Sequence, residues 1–522
     1  MLLARSRFPR ALATAAIWLA SSCLASGCKA DPPAPPQLPG LPGEVVHWPV
    51  PAAPPVSPQA PVLWVALAAH LHPPEPVVLR SAQGNLRLIG PAGQQLEAPA
   101  FSLRWRDVPL AQPLLISRQV LGPFASYESA QAVAQRWRQQ GAQAVVAHPA
   151  EWEVWAPAGA PSPLGQQPRH FQQRQSQRLG LVVTTAAGAK EWVLEPEAPV
   201  QLEAPGGLRW QGGVYAGPFR LQGDATGSWT LVEVVPLERY LLGVVPYEIG
   251  AGAPAAALEA QAVLARTWAL RNQGRFAVDG FHLCADTQCQ VYGEPGAASG
   301  AVRRAVEASR SLVLSFDGQP IHAVYHASNG GVSAGYEEVW GGAPWSYLRA
   351  AIDAPASGPG SLGARLPLPL SAAAVADLLA HGTQAYGNAH PRFRWARSLD
   401  ADTIARAVAP QAPALGLPQA VQVLERGASG RVLALKIQGP RESLVLRLDG
   451  IRRTLRQLPS TLFVVRQQAP GLWLFEGGGF GHGAGLSQAG AIDLASKGWG
   501  LRRILEHYYP GTALQPLSAL QP

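Results

Sequence analysis

Glu248 has the surroundings that most suggest chemistry in this sequence. It lies in the stretch LLGVVPYEIG, residues 241–250, where all of its neighbours are apolar, aromatic, Pro or Gly. A carboxyl group in an apolar setting keeps its proton to a higher pH, because desolvation disfavours the charged form. A Glu that is protonated near neutral pH can serve as a general acid. The alternative is a solvated or capping carboxylate, since the N-terminus of a following helix favours the anion.

Two predicted helices flank Glu248 and must position it. LERYLLGVV follows Pro236, and AAALEAQAVLARTWALRNQG follows Pro254 and closes with Gly274. Pro suits the first turn of a helix and Gly its end, so these residues mark the helix boundaries. Glu248 is therefore predicted to lie in the loop between the two helices.

The net charge of the chain indicates which kind of molecule it binds. The chain carries 42 Lys and Arg against 34 Asp and Glu, a formal net charge of +8. This favours an anionic partner such as nucleic acid, an anionic membrane or an acidic envelope polymer. The arginines are spread along the chain without a dense basic run, and the aromatic residues are not interleaved with a basic patch. We therefore predict no nucleic-acid binding.

Residues 1–28 have the pattern of a secretion signal. Three arginines precede an apolar stretch that ends in small residues and is too short to span a bilayer comfortably. Ala25–Cys28 resembles a bacterial lipoprotein processing site, at which Cys28 would carry the lipid. The alternative is simple cleavage and a free periplasmic protein. In both cases the protein is expected to work in the periplasm or cell envelope, with membrane contact only through this segment.

The rest of the chain divides into segments of different composition. Residues 29–60 are Pro-rich and predict an extended tether. Residues 61–157 show short alternating strands and then a β-α-β-β pattern over 113–157, which predicts a small β-rich α+β module. A second linker is predicted over 158–177, and a continuous α+β domain over 178–522.

The β-α-β-β unit contains a well-marked amphipathic helix. In ASYESAQAVAQRWRQQG, Ser126 can cap the N-terminus and Gly141 ends the helix. The residues on its apolar face are Ala130, Val133, Ala134 and Trp137. This unit resembles half of a SPOR domain, a small peptidoglycan-binding module. The alternative is a generic α+β unit.

A second chemical cluster lies in FHLCADTQCQVY, where His282, Cys284 and Cys289 fall close together. Two nearby cysteines in an exported protein form a disulfide by default. Cys and His together also suit a tetrahedral zinc site. In either case the cluster would fix the loop that carries Gln290 and Tyr292.

Five ordered stretches resemble the stage II sporulation protein D (SpoIID/LytB) family. They are VPLERYLLGVVPYEIGAGAPAAALEAQAVLARTWAL, CADTQCQVYG, VYHASNGGVSAGYEEVWGG, RRTLRQLPSTLFVV and GFGHGAGLSQAGAIDLASKGWGLRRILEHYYPGTAL, and they span roughly 230–514. The resemblance implies an α+β region of short helices and antiparallel strands around a glycan groove. Family members act on bacterial cell-wall glycan. Some are lytic transglycosylases that cut strands stripped of stem peptides, and others are described as enhancers of an amidase.

The resemblance gives Glu248 the role of acid/base in cleaving MurNAc–GlcNAc bonds, without a required cofactor. It also implies a set of polar groove residues. The residues expected to line the groove are Gln261, Arg266, Gln290, Tyr292, Tyr325, His326, Ser328, Asn329, His482, Ser487 and Gln488. Arg266 could hold the lactyl carboxylate of a stripped muramic acid, or it could be a paired buried arginine. The alternative for His482 is a core histidine.

Zinc remains a second possibility for the cysteine loop. In some relatives two Cys and two His bind the metal, and one His directly precedes the second Cys. This sequence has Gln288 at that position, so His282, Cys284 and Cys289 would need a fourth ligand from elsewhere.

Overall fold

The computed structural model describes residues 44–163, 165–185, 191–355 and 360–521. The predicted signal peptide, the lipoprotein site and residues 29–43 of the tether lie outside the described residues. Residues 42–522 group into one compact unit. Within the described part of the chain, no helix is long and apolar enough to cross a membrane.

The strands and helices are mixed along the chain, as the predicted α+β class requires. The strands are β1 (Glu44–Val45), β2 (Val62–Leu71), β3 (Val77–Ser81), β4 (Leu86–Ile89), β5 (Gln95–Ala98), β6 (Ala100–Phe124), β7 (Val145–Ala147), β8 (Trp152–Pro157), β9 (Arg169–Thr185), β10 (Glu191–Leu194), β11 (Val200–Glu203), β12 (Leu208–Trp210), β13 (Gly213–Tyr215), β14 (Phe219–Gly223), β15 (Trp229–Pro236), β16 (Leu283–Cys284), β17 (Leu312–Phe316), β18 (Gln319–Pro320), β19 (Tyr325–His326), β20 (Val332–Ser333), β21 (Ala351–Ile352), β22 (Arg394–Asp400), β23 (Ala420–Arg426), β24 (Val432–Gln438), β25 (Ser443–Arg447), β26 (Phe463–Ala469), β27 (Leu472–Gly478), β28 (Leu486–Ser487) and β29 (Ala513–Pro516). The helices are α1 (Tyr127–Gln139), α2 (Leu237–Val245), α3 (Ala255–Arg271), α4 (Gly300–Ala308), α5 (Glu337–Trp340), α6 (Leu362–Arg365), α7 (Ala372–His381), α8 (Ala401–Val408), α9 (Asp449–Thr454), α10 (Gln488–Ser496) and α11 (Leu501–Tyr508), with a π-helical turn over Pro246–Gly250.

Strand β2 joins the two predicted modules. It lies in a seven-stranded sheet of order β16-β2-β15-β14-β11-β4-β5, antiparallel to β15 and parallel to β16. Its apolar run VLWVALAAHL is typical of a strand inside a sheet. The predicted division between a module ending at 157 and a domain starting at 178 is therefore wrong, because the N-terminal segment supplies an interior strand to the larger domain.

The predicted linker over 158–177 is also wrong in its second half. Residues 169–177 belong to β9, which pairs antiparallel with β6 over most of its length. The sequence RHFQQRQSQ has almost no apolar residues because this part of β9 is largely exposed. Pairing with the backbone of β6 holds it in place, and such pairing leaves no hydrophobic pattern in the sequence.

The Pro-rich segment from residue 44 onward packs against the domain instead of forming a free tether. Trp48 and Val56 are buried, and the Trp48 amide donates to the Ala225 carbonyl at 3.2 Å. The Val56 amide donates to Gln273 Oε1 at 3.1 Å. Pro residues cannot donate in a sheet, but an extended Pro-rich chain can still cover an apolar surface.

The predicted helix of the β-α-β-β unit is confirmed. The Ser126 hydroxyl accepts from the Ser129 amide at the N-terminus of α1, and Gly141 follows the helix with φ of 90°. The four residues predicted on its apolar face are those that the helix buries. The strands β7 and β8 follow as predicted, whereas the resemblance to a SPOR domain stays a prediction.

Candidate active site

Helix α2 and the loop over 291–293 fit closely together and fix the position of Glu248. A Cβ atom at Gly243 would lie 2.5 Å from the Gly293 carbonyl oxygen and 2.6 Å from Cε2 of Tyr292, so only glycine allows this approach. The chain continues from α2 into the π-helical turn that carries Glu248. Its Oε1 accepts a hydrogen bond from the Val291 amide at 2.9 Å.

The carboxyl group of Glu248 has the shifted acidity expected from its neighbours. Burial raises its pKa, while hydrogen bonding from the Val291 amide and the Tyr325 hydroxyl works in the opposite direction. The Tyr325 hydroxyl accepts from Gln290 Nε2 at 2.8 Å, and Gln290 Oε1 accepts from the Tyr240 hydroxyl at 3.2 Å. This buried polar chain orients Tyr325 beside the carboxyl group without adding a charge there.

Glu248 lines a groove with a cavity volume of about 1190 Å³. Its walls come from segments far apart in the sequence: the N-terminal β-α-β-β unit, α3, β19, the region around β22 and α9, and the glycine-rich stretch near residue 480. The aromatic side chains in the lining are Trp268, Tyr325, Trp340, Trp395 and Phe480. A groove with aromatic and polar walls suits a sugar polymer, whose rings have apolar faces and polar edges.

The other carboxylates of the described groove lining are each paired with an arginine. Glu128 accepts from Arg275 at 2.9 Å, and Asp449 accepts from Arg452 at 3.2 Å. Glu151 forms an ion pair with Arg453. Glu248 forms no ion pair with any described residue, so it differs from them in its freedom to change protonation state.

The two groove histidines are held neutral by their surroundings. His482 Nε2 donates to the Tyr325 carbonyl at 2.8 Å and its Nδ1 accepts from the Ala484 amide at 3.2 Å, and burial lowers its pKa to about 4. His326 Nδ1 donates to the Ala484 carbonyl at 3.1 Å, and burial also lowers its pKa. The Nε2 atom of His326 has no partner among the described residues, so it can still accept a hydrogen bond.

The structure brings together in the groove five of the residues predicted to act on or bind the glycan. They are Glu248, Tyr325, His326, His482 and Gln488. Gln261 lies behind this surface, where its Oε1 accepts from Gln488 Nε2 at 3.2 Å, and Gln290 lies in the polar chain behind Tyr325.

The remaining predicted groove residues have structural roles. Arg266 is fully buried and donates to both carboxylate oxygens of Glu238 at 2.8 and 2.6 Å, which favours the alternative of a paired buried arginine over a contact with substrate. The Tyr292 hydroxyl donates to Glu233 Oε2 at 2.8 Å in the core. The other hydroxyl and amide groups are used within turns and caps. Ser328 accepts from Gly330, Ser487 caps α10, and Asn329 contacts Ser333 and Asp353.

Comparison with known proteins agrees with this architecture. Residues 225–316 match the family model described as stage II sporulation protein (SpoIID). This segment, which includes Glu248, is therefore similar to a SpoIID domain. A second match, to a domain of unknown function (DUF8618), covers residues 334–485 and so includes the segments around β22 and α9 that line the groove.

Named relatives extend the similarity beyond the SpoIID match. The chain is 27% identical over 301 residues to the amidase enhancer of Bacillus subtilis (strain 168), covering 52% of this chain and 40% of that protein. It is 26% identical over 313 residues to stage II sporulation protein D of the same organism, covering 55% of this chain and 77% of that protein. The chain thus spans less than half the length of the amidase enhancer.

The cysteine loop at residues 284–289 does not fit a zinc site. Cys284 and Cys289 form a disulfide. Both ring nitrogens of His282 are used by the backbone, since Nδ1 accepts from the Trp64 amide and Nε2 donates to the Pro54 carbonyl, each at 2.9 Å. Gln288 Oε1 accepts from Trp152 Nε1 at 2.9 Å. The proposed metal ligand His282 therefore has no free nitrogen, and the loop is fixed by the disulfide.

Sequence reasoning missed the arginines of the groove. Seven arginines line it, namely Arg275, Arg392, Arg394, Arg397, Arg452, Arg453 and Arg456. They come from three distant segments, so none of these segments has the dense basic run that would have predicted an anionic ligand. The sequence RRTLR, residues 452–456, was the available clue.

Proposed function

We propose that this protein is a peptidoglycan lytic transglycosylase that cleaves MurNAc–GlcNAc bonds with Glu248 as its acid/base. The observation that carries this proposal is the isolation of Glu248. It is the groove carboxyl group whose pKa is raised by burial, and the other described groove carboxylates are tied to arginines. Hydrolysis of a glycoside usually requires two working carboxyl groups. A groove with a single working carboxyl group suits a reaction in which the sugar supplies its own hydroxyl group as the nucleophile.

In the proposed reaction, protonated Glu248 donates its proton to the bridging oxygen as the bond from that oxygen to C1 of MurNAc breaks. The 6-hydroxyl oxygen of the same MurNAc then bonds to C1, and its proton passes to the Glu248 carboxylate. The products are a 1,6-anhydro-MurNAc end and a new GlcNAc 4-hydroxyl. Water is not consumed and Glu248 returns to its protonated form, so a single residue completes the cycle.

The proposed setting is the bacterial cell envelope. Peptidoglycan strands, with or without their stem peptides, are the proposed substrate. The signal-like segment at residues 1–28 supports export, and Cys28 would provide a lipid anchor if the lipoprotein site is used.

A second candidate function follows from the relative named amidase enhancer. In this alternative the groove binds glycan without cleaving it and the protein increases the activity of a cell-wall amidase. Glu248 would then be one of the hydrogen-bonding groups of the groove.

A digest of purified peptidoglycan tests both candidates. The wild-type chain, Glu248→Gln and Glu259→Gln would be incubated with intact and with amidase-stripped peptidoglycan, and the products read by mass spectrometry. Glu259 is the matched control, because burial also raises its pKa but it does not line the groove. Anhydro-MurNAc ends from the wild type and Glu259→Gln, absent with Glu248→Gln, are expected. Reducing ends that have gained water would indicate a hydrolase instead. Binding without cleavage, together with stimulation of an added amidase, would support the second candidate.

A further inference from the structure

The groove carries more positive charge than its own carboxylates can balance. Its lining contains seven arginines and four acidic residues, and Glu248 is neutral whenever it is protonated. Arg275, Arg452 and Arg453 have carboxylate partners. Arg394 is satisfied in another way, since it donates to the carbonyl groups of Leu378, Leu379, Gly330 and Phe393. Three groove arginines remain without a carboxylate partner among the described residues.

These three are Arg392, Arg397 and Arg456, and none forms an ion pair with a residue that the structure describes. The Arg392 guanidinium lies 4.0 Å from the centre of the Phe480 ring, and Arg397 Nη1 donates to the Ala396 carbonyl at 2.8 Å. All three arginines are exposed, so their charges face the solvent in the groove. Arginine presents several donors in a planar fork that matches a carboxylate.

The position of Arg456 adds a second indication. Its charge lies close enough to Arg453 to lower the pKa of the Arg453 guanidinium, although burial is the larger cause. Two guanidinium groups held near one another repel, and an anion between or beside them relieves that repulsion. The structure thus keeps like charges together along a surface that is open to a ligand.

We infer that Arg392, Arg397 and Arg456 form a carboxylate-binding wall that engages acidic groups carried by the glycan strand. This inference rests on the proposed use of the groove for glycan, and it moves charge recognition away from the buried Arg266. Two sources would present the same chemistry: the lactyl carboxylate of MurNAc residues without peptide, and the carboxylates of attached stem peptides. A neutral sugar polymer would gain nothing from the wall.

Binding measurements on a chain that does not cleave test this inference separately from the proposed reaction. Glu248→Gln would serve as the background, and Arg392, Arg397 and Arg456 would each be changed to Gln in one triple variant. The control triple variant changes Arg104, Arg209 and Arg502, which are exposed, outside the groove lining and without ion pairs to described residues. Both variants lose the same net charge, so long-range attraction is matched. Circular dichroism would verify that both remain folded.

The probes are soluble strands with intact stem peptides, stripped strands, stripped strands whose carboxylates have been converted to methylamides, and neutral chitin oligomers. We expect the groove triple variant to bind its preferred acidic strand at least roughly tenfold more weakly, as loss of a charged hydrogen bond predicts. The control triple variant should bind as its parent does. Tighter binding of stripped strands, abolished by methylamidation, would assign the lactyl carboxylate, and tighter binding of intact strands would assign the stem peptides.

Two results would overturn the inference. One is equal binding of acidic, methylamidated and chitin strands by the Glu248→Gln parent. The other is an equal loss of binding in both triple variants, which would reflect overall charge instead of a defined site. If cleavage by the wild type does not depend on Glu248, the proposed reaction fails, whereas the result of these binding measurements still stands.

Discussion

Removing the carboxylate of Glu238 should destabilise the folded chain, because Arg266 would remain charged in the core. Arg266 is fully buried and donates to both oxygens of Glu238, and its Nη1 donates to the Leu312 carbonyl at 2.9 Å. Breaking a buried ion pair from one side costs about 3–5 kcal/mol. The Glu238 side chain is 18% exposed, so water can replace part of the lost contact. We therefore expect Glu238→Gln to lower the free energy of unfolding by about 3 kcal/mol.

The corresponding change in melting temperature follows from the size of the folded unit. Residues 42–522 form one unit, and about 2.1 cal/mol/K per residue gives an unfolding entropy near 1 kcal/mol/K. The expected fall is about 3 °C, measured by differential scanning calorimetry. A partial recovery is expected when Arg266→Met is added, because the unpaired charge is then removed as well.

Glu307→Gln is the matched control. Glu307 pairs with Arg310 through side chains that are 66% and 54% exposed, so its loss should leave the melting temperature nearly unchanged. Equal melting temperatures for Glu238→Gln and Glu307→Gln would refute the structural role of Arg266. The same conclusion would follow if Arg266→Gln changed the preference between stripped and intact strands without lowering stability.

Three further predictions follow from the site. Burial raises the pKa of Glu248 above its ordinary value of 4.5, so ionising this group is harder in the folded than in the unfolded chain. The stability of the wild type therefore falls as the pH rises from 4.5 through the raised pKa. Glu248→Gln should melt at a higher temperature than the wild type at pH 8 and at the same temperature at pH 4. Changing both Cys284 and Cys289 to Ser should cost about 2 kcal/mol in chemical denaturation, whereas a chelator should leave the wild-type melting temperature unchanged. Gly243→Ala should lower stability by about 2 kcal/mol, because its methyl group overlaps Tyr292, and should also reduce glycan cleavage in the digest. The first prediction fails if Glu248→Gln and the wild type show the same dependence of melting temperature on pH. The second fails if the chelator lowers the melting temperature of the wild type, and the third fails if Gly243→Ala is as stable and active as the wild type.

The parts of the structure that were predictable have local causes. The boundaries of α1 were readable because Ser126, Gly141 and an apolar stripe act within one segment. A raised pKa for Glu248 was expected from its apolar sequence neighbours, and burial does raise it, although the groups that contact the carboxyl, the Val291 amide and the Tyr325 hydroxyl, come from other segments. The pairing of Arg266 was not readable, because its charge is satisfied by Glu238, which lies on another helix, and no sequence pattern shows that contact.

The parts that were missed depend on contacts between distant segments. The polar half of β9 is held by pairing with β6, and the groove arginines meet only after the segments around β22 and α9 fold against the glycine-rich stretch. The β-α-β-β unit was expected to be a separate module. Instead it supplies a groove wall through Glu128 and Glu151, which pair with Arg275 and Arg453.

The place of β2 in the larger sheet has a consequence for how the protein is made and cut. During synthesis β2 leaves the ribosome before its partners, so the hydrogen-bonding edges of its backbone lack β15 until the chain has passed residue 236 and lack β16 until it has passed residue 284. Unpaired strands of this kind can associate with other chains while the protein is unfinished. A shortened chain that starts at residue 178 would lack β2 altogether. It would expose the edge of β15, and we expect it to aggregate.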